Sequence, residues 1–284
     1  MENKINYDVF TQPDEKNNLD EEYEQNLTEQ EKNKIYNDYL DRKQNQTIQE
    51  IDNCIQERSP GGDLGTLLTR KRKFTEEIAR IYIAEIISAL EYLHRNEIIY
   101  RDLKPENIIL DKNGHIKITD FGLAKKLLND SQTRTYLGTP AYFAPEIIMK
   151  SGHNRMVDWW TVGILLYECL VGMPPFYSRQ REELFENIKT APIKIPKSMS
   201  QEAKDLIKQL LNRNPKKRLG AQNDAIDIKN HIFFKDFNWD DLLDKKFQMP
   251  EVQIDKIPES ELIIQFKEKQ DPLKDIKDWT IISD

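Results

Sequence analysis

Apolar residues at Ile78, Tyr82, Ile86, Ala89, Leu90 and Leu93 recur every three to four positions, the period of a helix with one buried stripe. Thr75 stands ahead of the stripe as an N-cap. Glu76 and Glu77 follow in the first turn, where carboxylates suit the positive end of the helix dipole. Two short runs of strand character follow, around 107–110 and 115–118. The Asp-Lys-Asn-Gly turn at 111–114 joins them and predicts a hairpin. Residues 120–146 scatter Gly, Pro and Thr and read as a long functional loop. Helical patterns resume at 158–171, 180–190, 200–211 and 225–231. From about 235 the chain reads as an irregular tail, with prolines at 250, 258 and 272. The apolar run VGILLYECLVG (162–172) is too short to span a bilayer and reads as a buried helix.

Before residue 59 the texture differs. Residues 1–58 are rich in Asn, Gln, Glu, Asp and Lys and hold no glycine, the first being Gly61. Two helical patterns stand out there. One gathers Ile35, Tyr36, Tyr39 and Leu40; the other gathers Ile48, Ile51 and Ile55 behind a Thr47-x-x-Glu50 capping box. Low hydrophobicity with high charge predicts a solvated or disordered arm. This arm carries 15 acidic and 7 basic side chains, so the chain's net charge of −7 belongs to it. The rest is nearly balanced, which gives nucleic acid no electrostatic footing. Two cysteines, Cys54 and Cys169, make no disulfide framework. With no signal-peptide pattern at MENKINYDVF, the expectation is a soluble cytoplasmic protein without a membrane span. The four histidines are far apart in sequence, without metal-ligand spacing, and are assigned structural or surface roles.

The chemistry concentrates in YRDLKPENIIL, residues 100–110. Asp102, Lys104 and Asn107 supply a base, a cation and an amide from one short loop. Phosphoryl transfer to a hydroxyl needs these together: a carboxylate to take the proton, a cation for the moving phosphate, and hard oxygens for a divalent metal. A second carboxylate for the metal is offered by Asp120 in ITDFG, with Gly122 after it. An Ala-Pro-Glu at 144–146 completes a combination that chance seldom produces.

These motifs resemble the eukaryotic protein kinase family, and within it the AGC group of serine/threonine kinases. GTPAYFAPE (138–146), VDWWTVGILLYE (157–168) and PKKRLG (215–220) carry the likeness, which runs from about Gly61 to Asp241 and more weakly to the C-terminus. The resemblance implies an α+β, protein-kinase-like fold with a mainly helical large lobe and short strands near the catalytic loop. It implies ATP and Mg²⁺ as cofactors, protein substrates, and an upstream activating kinase. It assigns Asp102 as base and Lys104 to the transferred phosphate, with Asn107 and Asp120 as Mg²⁺ ligands and Ile109 beneath the adenine ring. Arg101 would receive a phosphate on Thr135, and Thr139 would hydrogen-bond Asp102 and Lys104. Glu146 would pair with Arg218, and Asp158 would cap the catalytic-loop backbone. Asp63, Glu106 and Glu168 match carboxylates that recognise arginines upstream of the target, with Asp63 and Glu106 also bordering the nucleotide. Tyr136, Pro140 and Phe143 would line an apolar pocket for the residue after it. The organisation implied is an acidic arm at 1–58, the large lobe at 59–234, and an AGC-type tail at 235–284.

The pattern breaks at two places. A kinase small lobe supplies a glycine-rich loop, a strand lysine and a helix glutamate. Residues 1–60 offer no glycine and no Val-Ala-Ile-Lys-like tetrapeptide, so the N-terminal β-lobe is expected to be absent. The tail's Ile-Lys-Asp-Trp-Thr-Ile (276–281) resembles the group's hydrophobic motif, with Thr280 at the phosphorylatable position. That motif docks on the small lobe, so here it is expected to have nothing to dock on. Two readings follow: a kinase whose unaided activity is compromised, or an inactive kinase-like scaffold.

Overall fold

The structure is a computed structural model that describes residues 61–127, 133, 137–250 and, in main chain, 279–282. The acidic arm, its two helical patterns, Thr135, Tyr136 and the tail from 251 to 278 lie outside the described residues. Helix α1 (Leu64–Lys71) is followed by α2 (Glu76–Arg95), β1 (Ile98–Ile99), β2 (Ile108–Leu110), β3 (Ile116–Ile118) and β4 (Lys125–Lys126). Then come α3 (Pro145–Ile148), α4 (Met156–Val171), α5 (Arg181–Thr190), β5 (Ile193–Pro196), α6 (Gln201–Leu210), α7 (Ala225–Lys229), α8 (Trp239–Leu243) and β6 (Trp279–Ile282).

The core is built around α4, all of whose residues are buried. A helix apolar on every side must be enclosed, and α2 and α6 pack against it. Thr75 caps α2 by accepting from Ile78 N at 3.4 Å, and Tyr82, Ile83, Ile86, Ile87 and Leu90 face inward with no exposure. Ser200 caps α6, accepting from Ala203 N at 3.0 Å. Its own amide donates to Glu76 Oε1 at 2.7 Å, which ties the starts of α6 and α2 together. Gly163 lets α4 and α6 close on each other. A Cβ there would sit 2.9 Å from both Leu210 Cβ and Leu211 Cδ2.

Three two-stranded antiparallel pairs complete the described residues: β1 with β4, β2 with β3, and β5 with β6. The hairpin follows its predicted turn, with Ile108 opposite Ile118 and Gly114 at φ 85°. The stretch 120–146 is less irregular than its composition predicts. It holds 3₁₀ turns at Phe121–Leu123 and Pro140–Tyr142, and β4, whose partner β1 comes from before the 100–110 loop.

The tail departs further from expectation. It contributes α8, capped by Asn238, whose side chain accepts from Asp240 N and Asp241 N. Phe234, Phe237, Trp239 and Phe247 form a ring cluster that anchors it, with Phe237 and Phe247 stacked at 4.9 Å. The expectation that 276–281 has nothing to dock on is corrected. Residues 279–282 pair with β5, through main-chain groups that side-chain pattern does not reveal. Among the described residues no helix is long and apolar enough to cross a membrane.

Candidate active site

Asp102 sits at the centre of a polar cluster although it is only 6% exposed. Lys104 Nζ donates to Asp102 Oδ2 at 3.0 Å, and Asn107 Nδ2 donates to the same oxygen at 3.0 Å. Asn107 Nδ2 also donates to the carbonyl of Asp102 at 2.9 Å, which closes the loop on itself. Thr139 reaches in from the other side. Its hydroxyl donates to Asp102 Oδ1 at 3.3 Å and accepts from Lys104 Nζ at 3.3 Å. Gly138, at φ 117°, makes this approach feasible, since a Cβ would lie 3.3 Å from the carbonyl of Arg101 and 3.1 Å from the Phe143 ring.

The loop's backbone is held from below by α4. Asp158, with no exposure, accepts from Arg101 N through Oδ1 at 2.8 Å and from Tyr100 N through Oδ2 at 3.0 Å. Arg101 itself has a φ of 70°, a left-handed conformation that a non-glycine residue holds only under constraint. His94 fixes Asp158 in turn. Its Nε2 lies 2.8 Å from Asp158 Oδ2, and its Nδ1 lies 3.1 Å from Asp224 Oδ1. Burial opposes charge on this imidazole, but the hydrogen bonds of the two carboxylates outweigh it and push the pKa up to about 9. Asp224, which also accepts from Trp159 Nε1 at 2.6 Å, has its pKa lowered. Burial alone would raise it, and bonding to His94 overcomes that.

Asp120 follows β3, and Thr119 N donates to the carbonyl of Asn107 at 3.0 Å. The hairpin therefore brings the Asp120 segment beside Asn107. Asp120 is exposed, adopts φ 59°, and accepts from Gly122 N at 3.3 Å. Tyr100 OH donates to the carbonyl of Thr119, which ties this segment to the 100–110 loop. Among the described residues no group of three or more His, Cys, Asp or Glu converges to hold a metal unaided.

Ile109 lies half-buried in β2 and bridges Asp63. Gly61 N donates to the carbonyl of Leu110 at 3.0 Å, and a Cβ on Gly61 would meet that oxygen at 2.6 Å. Asp63 caps α1, accepting from Thr66 N at 2.8 Å and Thr66 Oγ1 at 2.7 Å. Glu106 is exposed, whereas Glu168 is buried and accepts from Tyr142 OH at 2.7 Å. Burial first, and Glu168 second, hold the Tyr142 phenol neutral by raising its pKa well above the ordinary range. Pro140 is half-buried; Phe143 is buried and stacks on Phe185 at 6.4 Å. Glu146 and Arg218, both nearly inaccessible, form a bidentate pair at 2.7 and 3.0 Å.

The side chain of Arg101 reaches the loop after Asp120. Its Nε donates to the carbonyl of Leu123 at 2.6 Å, while its Nη1 is buried without a hydrogen-bond partner. Burial lowers the pKa of this guanidinium, with Asp158 opposing. His153 has its pKa lowered by burial first and by the Arg101 cation second, with Lys125 adding to the effect. Lys125 Nζ donates to Thr133 Oγ1 at 3.2 Å, and the main chains of Thr133 and His153 bridge each other. Sequence reasoning singled out Arg101, gave His94 and His153 structural or surface roles, and did not single out Lys125 or Asp224. His94 and Asp224 carry no local signal, because they meet across 130 residues.

The protein kinase domain family model matches residues 15–234. This chain belongs to the protein kinase family. The kinase match reaches back before Gly61 into the stretch read as an acidic arm, which lies outside the described residues. Among curated kinases, serine/threonine-protein kinase Sgk1-A of Xenopus laevis is 51% identical over 191 residues, covering 67% of this chain and 44% of the relative. Human serine/threonine-protein kinase Sgk1 is 50% identical over the same shares. The cAMP-dependent protein kinase catalytic subunit 3 of Drosophila melanogaster is 52% identical over 67% of this chain and 32% of its own. The likeness supports an AGC-group serine/threonine kinase. The chain spans less than half the length of these relatives.

Proposed function

We propose that this chain carries the large-lobe half of a protein serine/threonine kinase active site, moving the γ-phosphate of ATP to serine or threonine of protein substrates. The observation that carries this reading is the four-residue cluster of Asp102, Lys104, Asn107 and Thr139 around one carboxylate. Asp102 orients the substrate hydroxyl and takes its proton as the new bond forms. The Lys104 ammonium, already beside that carboxylate, offsets charge on the phosphate in flight. Thr139 holds both in register. When bound, Mg²⁺ neutralises and aligns the phosphates of ATP; Asn107 and Asp120 are the residues that would hold it. Ile109 forms the floor for the adenine, with Asp63 and Glu106 at its margin.

Substrate choice would follow from three acids, Glu106 exposed, Asp63 half-buried and Glu168 buried against Tyr142. Asp63, Glu106 and Glu168 would favour arginine upstream of the target, and Phe143 with Pro140 and Tyr136 an apolar residue after it. A phosphate on Thr135, two positions from Thr133, would meet Arg101 and Lys125. The buried, unsatisfied Nη1 of Arg101 gives such a phosphate a charge-assisted bond to make. An upstream kinase would supply it. A cytoplasmic location fits this reading.

A second reading is an inactive kinase-like scaffold, favoured by the lack of any glycine in residues 1–60 to cover the phosphates. A thermal-shift titration with Mg-ATP separates the two, because a ligand that binds only the folded state stabilises it by about 2.7 kcal/mol at a hundredfold excess over Kd. A saturating rise, lost in Asp120→Asn, together with transfer to an Arg-x-x-Ser peptide supports the enzyme. Absence of any shift at millimolar Mg-ATP, or transfer only to acidic peptides, overturns the reading.

A further inference from the structure

Strand β5 is built as a docking edge. Ile193 and Ile195 are buried at 1% and 0% while Lys194 between them is exposed, so one face of the strand packs on the core. Its main chain is fixed at both ends. Arg213 donates to the carbonyls of Ile188 at 2.9 Å and Ala191 at 2.5 Å just before the strand. Met199 N donates to the carbonyl of Pro196 at 3.2 Å just after it. One edge is already used, since Tyr167 OH from α4 donates to the carbonyl of Lys194 at 2.6 Å. Main-chain groups alternate in direction along a strand, so those of Ile193 and Ile195 point to the opposite edge.

Among the described residues the sheet has two strands, and β6 is the one that lies along that edge. The register sets Ile193 against Ile282, Lys194 against Ile281, Ile195 against Thr280 and Pro196 against Trp279.

We propose that the Ile193–Pro196 edge is a β-augmentation site of the large lobe and that the chain's own residues 279–282 are its resident occupant. Recognition is through the main chain, so the edge accepts an extended segment largely regardless of side chains. Tethering through residues 251–278 makes pairing intramolecular and gives the chain's own segment the advantage over a second copy. The consequence concerns Thr280, whose main chain is committed to Ile195. An enzyme that takes Thr280 within an extended substrate segment competes for the same groups, so the pair must open before the residue can be modified.

Hydrogen exchange and cross-linking on the full chain test this, in a Cys54→Ser background for the cross-link. The amides of Ile193, Ile195, Thr280 and Ile282 exchange on the order of tenfold or more slowly than those of Lys194 and Ile281. Thr280→Pro removes the donor facing Ile195 and abolishes the protection at Ile195 while the melting temperature of the lobe holds. Lys194→Cys with Ile281→Cys, a directly opposed pair, forms an intramolecular disulfide faster than Lys194→Cys with Ser283→Cys. Equal exchange at alternating positions, equal cross-linking rates, or cross-linked dimers as the sole product overturn the proposal.

Discussion

Replacing Arg218 by alanine removes the cation from a pair that water does not reach. The guanidinium is 1% exposed and donates to both oxygens of Glu146 at 2.7 and 3.0 Å. It also donates to the carbonyl of Met156 at 2.6 Å and that of Asn212 at 3.0 Å, and its carbon lies 5.1 Å from the Trp160 ring centroid. One side chain thus ties α3, the start of α4 and the segment after α6. Alanine leaves the Glu146 carboxylate buried without its partner, and such a break costs about 3–5 kcal/mol. For a domain of about 150–250 residues each kcal/mol moves Tm by roughly 2–4 °C, so the loss amounts to about 6–20 °C.

The assay is thermal unfolding by circular dichroism and differential scanning fluorimetry on the full chain. It covers Arg218→Ala, Glu146→Gln, and Arg218→Met with and without Glu146→Gln. If the damage comes from a stranded charge, Glu146→Gln in the Arg218→Met background restores part of the stability, because it removes the uncompensated carboxylate. A Tm within about 2 °C of the parent for Arg218→Ala would refute the buried pairing. Strict additivity in the double variant would show that lost packing, not charge, sets the cost.

Two further predictions rest on other contacts. His94 has a folded pKa of about 9 against roughly 6.5 when unfolded. Its contribution is therefore complete below about pH 6.5 and is lost as pH rises through about 9, a loss on the order of 3 kcal/mol. Urea denaturation from pH 6 to 9.5 reads it, and His94→Gln should remove this part of the slope; an identical slope in both proteins refutes the assignment. Gly163→Ala puts a methyl 2.9 Å from Leu210 Cβ and Leu211 Cδ2, so overpacking of about 1–3 kcal/mol should exceed the ordinary helix gain of about 1 kcal/mol. A stabilised variant would show that α4 and α6 are not closely packed.

How much of this was legible in the chain depends on how far each feature reaches. Helix α2 was readable because its stripe, its Thr75 cap and its acidic first turn all lie within twenty residues and agree. The hairpin was readable because Asp111 to Gly114 is a turn signal with strands on either side. Helix α1 was overlooked although Leu64, Leu67 and Leu68 are buried at helical spacing. Its N-cap, Asp63, had been assigned only to ligand recognition. The pairings of β1 with β4 and β5 with β6 join strands of two to four residues, too short for a period to be counted. The partners of His94 come from 64 and 130 residues away, and nothing in its neighbourhood in sequence announces them. The polar cluster of Asp102, Lys104 and Asn107 was legible because one loop concentrates it; the supports beneath it were not, because folding alone assembles them.

Those supports bear on what a large lobe can hold by itself. Asp158 gives Oδ1 to the amide of Arg101 and shares Oδ2 between the amide of Tyr100 and His94. The left-handed backbone at Arg101 is thus over-determined by a buried carboxylate that His94 and, through it, Asp224 hold in place. Every atom in that chain of contacts comes from α2, α4, the catalytic loop or the turn before α7. None of it requires a glycine-rich loop or a strand lysine. The positions of Asp102 and Asn107 therefore follow from large-lobe packing, whereas nucleotide affinity depends on what covers the phosphates. The two are separable: a chain of this sequence can keep the arrangement of Asp102, Lys104 and Asn107 whatever covers that cluster.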